Sequence, residues 1–268
     1  MNIYTDINQI PYIEYGVVSV GTFDGVHKAH RIILEEVSSL AKSIGGQSVV
    51  ITFISHPRIL IDPDFDIKIL TTQQEKNHLF EQIGIDNVIY LLFNWDIAKM
   101  SYVDFIAMLS SKIDIAKIVV GYDHSFGKNR EGNLSKLQQL TGNHNFEVIE
   151  VPKQTIDGMD VKSSVIRNAI KKGDIFSANR LLGYEYGMEL VVYSTQQDRI
   201  SLKMNNSEKL LPCDGIYPIE IKGDSTLLEI KTGNISLFKN NLRCEPEIGT
   251  VFVVKFIGNK IESTFSKI

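Results

Sequence analysis

Two histidines, two glycines and an aspartate fall within the ten residues Gly21-Thr22-Phe23-Asp24-Gly25-Val26-His27-Lys28-Ala29-His30. His27 and His30 are three apart, so on a helix they share one face and can donate to one phosphate. Gly21 and Gly25 allow a sharp turn and a close backbone approach to a ligand. A histidine pair at this spacing also occurs in zinc sites, but no cysteine or carboxylate stands at ligand spacing nearby. Taken singly, Asp24 reads as a residue near a helix N-cap and His27 as a surface histidine. Taken together, the group reads as an anion site.

The flanking residues supply the elements such a site needs. An apolar run, Val17-Val18-Ser19-Val20, precedes it. An amphipathic pattern follows, with apolar Ile32, Ile33, Val37, Leu40, Ala41 and Ile44, and ends at Gly45-Gly46. A strand, a glycine-bearing turn and a helix N-terminus direct free N–H groups and the positive end of the helix dipole at one point. Short apolar strands and helical patterns continue to alternate. Strands are expected at 17–20, 48–53, 88–93, 118–121 and 146–151, with helices near 27–44, 72–83, 101–113 and 133–141. That alternation indicates a parallel sheet covered on both faces, with ligands at the carboxyl ends of its strands.

After Pro152 the pattern changes. Two short helices, 163–172 and 175–182, are split by Gly173-Asp174. From Tyr184 onward strands are expected at 188–193, 200–204, 216–221, 226–230 and 250–257, joined by polar turns such as Lys222-Gly223-Asp224. The expectation is a Rossmann-like α/β domain over residues 1–183, then a small antiparallel β-sandwich or barrel over 184–268.

Composition narrows the classes. The 268 residues are 43% hydrophobic and 22% charged, as in ordinary globular proteins, and the net charge of −4 argues against a general nucleic-acid or anionic-membrane binder. The two cysteines, Cys213 and Cys244, offer neither a disulfide framework nor a metal motif. The first residues have no basic or apolar signal-peptide regions, and no apolar run reaches membrane-spanning length. The reading is a cytoplasmic, soluble protein that binds small molecules, with no obligate protein partner.

Two further segments carry chemistry. Val161-Lys162-Ser163-Ser164-Val165-Ile166-Arg167 opens a helix with hydroxyls and cations, a place for a second phosphate. Ser163 or Ser164 is expected as its N-cap. Val120-Gly121-Tyr122-Asp123-His124-Ser125-Phe126-Gly127-Lys128-Asn129-Arg130-Glu131-Gly132 forms a glycine-bearing loop after the fourth strand.

These segments together resemble the bacterial FAD synthetase family, bifunctional riboflavin kinases/FMN adenylyltransferases. Residues 21–30 resemble its G-x-F-D-G-V-H-x-G-H form, with Ala29 where the family usually has glycine. Residues 162–167 resemble I-S-S-T-x-I-R, with Lys162 for the first serine and Ser164 for threonine. Residues 121–132 resemble G-x-D-F-x-F-G-x-x-R-x-G, with His124 for phenylalanine. Thr52-Phe53-Ile54-Ser55-His56-Pro57 and Leu70-Thr71-Thr72 are weaker matches. The resemblance implies a nucleotidyltransferase that uses ATP and Mg²⁺ to convert FMN to FAD. It implies catalytic roles for His27, His30 and Arg167, and ATP binding by Gly21, Phe23, Asp24, Gly25, Ser163 and Ser164. Asp24 would orient the turn or a magnesium ion, and no residue is assigned as a metal ligand. Asp123, Phe126 and Arg130 would hold the flavin. Leu211-Pro212-Cys213-Asp214-Gly215-Ile216-Tyr217 resembles the P-x-x-G-V-Y strand of the family's kinase barrel. The kinase motif G-x-P-T-A-N has no counterpart, because the sequence contains no Pro-Thr step. The resemblance therefore implies a reduced, kinase-like β-barrel over 184–268 and adenylyl transfer without riboflavin kinase activity. The alternatives are a non-catalytic flavin or nucleotide binder, or another adenylyl- or cytidylyltransferase of the superfamily.

Overall fold

The computed structural model of the chain describes residues 1–55, 57, 60, 62, 67–128, 131–141, 146–239, 242 and 246–261. His56, Arg130 and Cys244 lie outside the described residues. The chain divides into two compact units, residues 1–67 with 73–155, and residues 68–72 with 156–268.

The first unit is built on six strands: β1 (Asn2–Tyr4), β2 (Ile13–Val20), β3 (Gln47–Phe53), β4 (Asn87–Leu91), β5 (Ile113–Gly121) and β6 (Glu147–Val151). They pair in the order β1-β4-β3-β2-β5-β6, every pairing parallel. Among the described residues five α-helices accompany them: α1 (Lys28–Ser43), α2 (Gln73–Ile83), α3 (Trp95–Lys99), α4 (Tyr102–Ser110) and α5 (Leu134–Leu140). Alternate strand residues face opposite ways. Val18, Val20, Val49, Ile51, Ile89, Leu91, Ile118 and Val120 form one core with Phe105, Ile106 and Leu109 of α4 and Leu137 and Leu140 of α5. Helix α1 packs on β2 and β3 through its buried row Leu34, Val37, Ser38 and Ala41. Both faces are covered, which is why the strands read as near-continuous apolar runs.

The chain steps from β2 outward to β3 and β4, then returns to the other side of β2 with β5. Strand order reverses between β2 and β5, the position where open α/β sheets bind ligands at the strands' carboxyl ends. Residues 21–30 follow β2 and residues 122–132 follow β5, so both segments singled out by composition leave the sheet at this switch.

The second unit holds α6 (Ser163–Lys172) and α7 (Ile175–Leu182), each ending on a left-handed glycine, Gly173 at φ 79° and Gly183 at φ 85°. A short pair of strands, β7 (Thr155–Ile156) and β8 (Met159–Asp160), precedes α6. Six further strands follow: β9 (Gly187–Thr195), β10 (Arg199–Met204), β11 (Gly215–Ile221), β12 (Asp224–Lys231), β13 (Asn234–Phe238) and β14 (Val251–Phe256). They close as β10-β13-β12-β11-β14-β9, so the antiparallel region is a barrel and not a sandwich. Leu190, Val192, Ile200, Leu202, Ile219, Leu228, Leu237 and Val254 fill it. Lys222 (φ 51°) and Gly223 (φ 87°) make the two-residue hairpin turn between β11 and β12.

Candidate functional site

The segment after β2 is a strained turn. Phe23, Gly25 and Val26 all have positive φ, at 45°, 85° and 33°. For glycine this is cheap. For β-branched Val26 it is an outlier that persists only where surrounding contacts impose it. Those contacts are present. Gly21 N–H donates to Ile51 O at 2.9 Å and Val26 N–H to Phe23 O at 3.1 Å. The Thr52 hydroxyl donates to Thr22 O at 3.2 Å. Phe23, at 3% exposure, meets the Phe80 ring edge-on, with centroids 6.0 Å apart.

His27 is not a surface residue; it is 3% exposed and caps α1. Its Nδ1 accepts the backbone N–H of His30 at 3.3 Å, so the neutral ring carries its proton on Nε2. The His30 ring stacks on His27 with centroids 3.6 Å apart and meets Phe23 edge-on at 5.3 Å. His30 Nδ1 is buried and has no hydrogen-bond partner among the described residues. Burial, then the neighbouring His27 and Lys76, hold the His30 pKa well below its ordinary 6.5. The pair therefore meets a ligand near neutral pH with His30 uncharged, as hydrogen-bonding groups in a fixed stack. Ala29 sits between them in the first turn of α1.

Asp24 is 4% exposed. Lys76 of α2, 8% exposed, brings its Nζ to 3.5 Å from Thr22 O and 5.5 Å from the centre of the Tyr90 ring. Burial lowers the Lys76 pKa, and the Asp24 carboxylate works against that shift. Lys76 is absent from the residues assigned from sequence. A lysine four positions before Phe80, on the inward row with Leu79, was the available signal.

The loop after β5 folds on itself. Phe126 and Gly132 exchange backbone hydrogen bonds, both at 2.9 Å, and the Phe126 ring lies 5.5 Å from Phe105. Phe126 thus packs partly against the core of the first unit. Asp123 is exposed at the loop's start. Gly127 and Gly132 admit this fold: a Cβ on Gly127 would lie 2.9 Å from Tyr102 N, and one on Gly132 2.7 Å from Tyr102 Cβ.

The hydroxyl segment lies in the second unit. Helix α6 begins at Ser163, and its N-cap is Lys162, which makes no side-chain cap bond. Neither serine caps: Ser163 and Ser164 occupy the first two helical positions. Ser164 is exposed, and Arg167 donates from Nε to Lys68 O at 3.0 Å. The structure thus brings Phe23, Asp24, His27 and His30 together in one unit, and Ser163, Ser164 and Arg167 on one helix start in the other.

A family model described as FAD synthetase matches residues 10–165, more than half of the chain. A bifunctional riboflavin kinase/FMN adenylyltransferase of Listeria monocytogenes is 28% identical over 255 residues, covering 91% of this chain and 78% of that protein. One of Buchnera aphidicola from Schizaphis graminum is 30% identical over 216 residues, covering 76% and 68%. A crystal structure described as a macrolide-efflux protein from Streptococcus pneumoniae superposes with a TM-score of 0.87 over 100% of this chain and 93% of its own; at 21% identity it speaks for the fold alone. With the motif on a strained turn at the switch point of the sheet and the family model running from before β2 into α6, the chain belongs to the FAD synthetase family.

Proposed function

We propose that the chain transfers the adenylyl group of ATP to FMN, giving FAD and pyrophosphate. The observation that carries this reading is the His27–His30 stack on the strained turn that leaves the switch-point strand. An oxygen of the FMN phosphate attacks the α-phosphorus. The bond from that phosphorus to the α–β bridging oxygen breaks, and pyrophosphate leaves. No covalent intermediate is needed, so catalysis consists of in-line positioning and neutralising charge on the departing oxygens.

In this reading Gly21, Phe23 and Gly25 bring backbone against the nucleotide, and Asp24 orients the turn. His27 and His30 donate to the phosphates. Ser163, Ser164 and Arg167 take the departing end. Asp123, Phe126 and Arg130 are assigned to the flavin side. Magnesium enters as the MgATP complex, held mainly by phosphate oxygens and water, as this ion usually is. We further infer that residues 1–183 carry the reaction and that the barrel does not phosphorylate riboflavin, since no Pro-Thr step occurs in the chain. Incubating the protein with riboflavin and MgATP tests that inference: no FMN above a no-enzyme control is expected, and sustained FMN formation would overturn it.

A further inference from the structure

We infer that Lys76 is a positioning residue: its ammonium holds the Thr22–Val26 turn in its strained conformation through the Thr22 carbonyl and Asp24. The inference rests on the adenylyl-transfer reading for its effect on catalysis, though not for its effect on the turn.

Helix α2 meets this turn at two points one helical step apart. Phe80 sets its ring against Phe23, and Lys76 sets its Nζ 3.5 Å from Thr22 O. The aromatic contact alone would seat the helix. A lysine at the second point is costly, because an ammonium at 8% exposure has given up most of its water. It is tolerable only where the surroundings are electronegative, and they are. Besides Thr22 O, the face of Tyr90 lies 5.5 Å away, and the Asp24 carboxylate stabilises the charged form. Thr22 O receives the Thr52 hydroxyl as well, at 3.2 Å. At 3.5 Å the contact with Nζ is long for a hydrogen bond, so much of its effect is charge on dipole.

The location gives the lysine its consequence. Thr22 is followed directly by Phe23, Gly25 and Val26, the positive-φ residues. A backbone held away from its preferred angles relaxes unless it is over-determined. A buried cation drawing on the carbonyl at the turn's start and on Asp24 within it opposes that relaxation. The same cation lies near enough to His30 to disfavour its protonation. Lys76 touches no reacting atom in this account; it acts through the turn.

The test separates charge from packing. Lys76→Met keeps the length and apolar stem without the charge, and Lys76→Arg keeps the charge at the cost of crowding. If Lys76 only filled space, Met would serve at least as well as Arg. Hydrogen exchange read on peptides spanning residues 21–30 reports the turn itself. Exchange there is expected about fivefold or more faster in Lys76→Met, with exchange in the sheet strands unchanged. Turnover to FAD at saturating ATP should fall about 100-fold in Lys76→Met and be largely retained in Lys76→Arg. If Lys76→Met does not fold, Lys76→Gln takes its place in the same comparison. Wild-type exchange at 21–30 in the neutral variant would overturn the inference, whatever the activity. If the wild type makes no FAD, the adenylyl-transfer reading fails, and the exchange measurement still decides the role of Lys76.

Discussion

At the residue scale the account turns on His30. Its ring is wedged between His27 and Phe23, with a buried Nδ1. His30→Ala should lower FAD turnover by about 10²–10³, the usual loss for one pre-organised donor, and full turnover in a folded variant would remove His30 from the mechanism. The same residue sets a pH dependence. Its folded pKa lies well below 6.5, so below that pH the unfolded chain binds a proton that the folded chain refuses. Stability should therefore fall as pH drops through about 6.5 and below. Urea unfolding at several pH values in that range is expected to show a shallower slope for His30→Gln, and an unchanged slope would contradict the assignment. From sequence, His27 and His30 were legible as one helical face. That His27 would be the cap and His30 the half-buried member was not, because it depends on turn angles at Phe23 and Val26 that residues of those types rarely adopt.

At the element scale the chain reads well where an apolar run or a helical period is clear. Strands Gln47–Phe53 and Glu147–Val151 and helices Ser163–Lys172 and Ile175–Leu182 lie where the apolar periods put them. Several short elements escaped, among them the β7–β8 pair and the three that follow. Asn2–Tyr4 is a three-residue edge strand defined only by pairing with β4. Trp95–Lys99 is a single turn capped by Asn94. Asn234–Phe238 alternates apolar Ile235 and Leu237, but it is short and sits between polar turns. The N-cap of α6 was misplaced by one residue, because serine's preference for caps outweighs lysine's in sequence and the fold starts the helix earlier. One close approach was also invisible. A Cβ on Gly46 would lie 2.0 Å from Tyr15 O. Gly46 joins α1 to β3, so Gly46→Ala must push α1's end off β2. It should cost roughly 2 kcal/mol or more in urea unfolding; a loss below about 0.5 kcal/mol would show that the turn yields freely.

At the scale of the whole molecule, a six-stranded parallel sheet and a closed six-stranded barrel share one chain. The alternation of strands and helices, followed by strands alone, made both legible. The alternating pattern alone fits a sandwich as well as a barrel; the resemblance of residues 211–217 to the family's barrel strand pointed to the barrel, and the sheet closes as one. Kinase chemistry needs a metal–phosphate clamp, and the proposal that the barrel lacks it rests on the absence of a Pro-Thr step from the sequence. The family's other reaction remains as the chain's proposed activity. The direct measurement is to incubate the purified protein with FMN and MgATP and follow both products. FAD and pyrophosphate should accumulate in equal amounts over many turnovers, and both should drop sharply with His30→Ala. No FAD from a folded protein that still binds ATP and FMN would contradict the account and identify a binding protein instead of an enzyme.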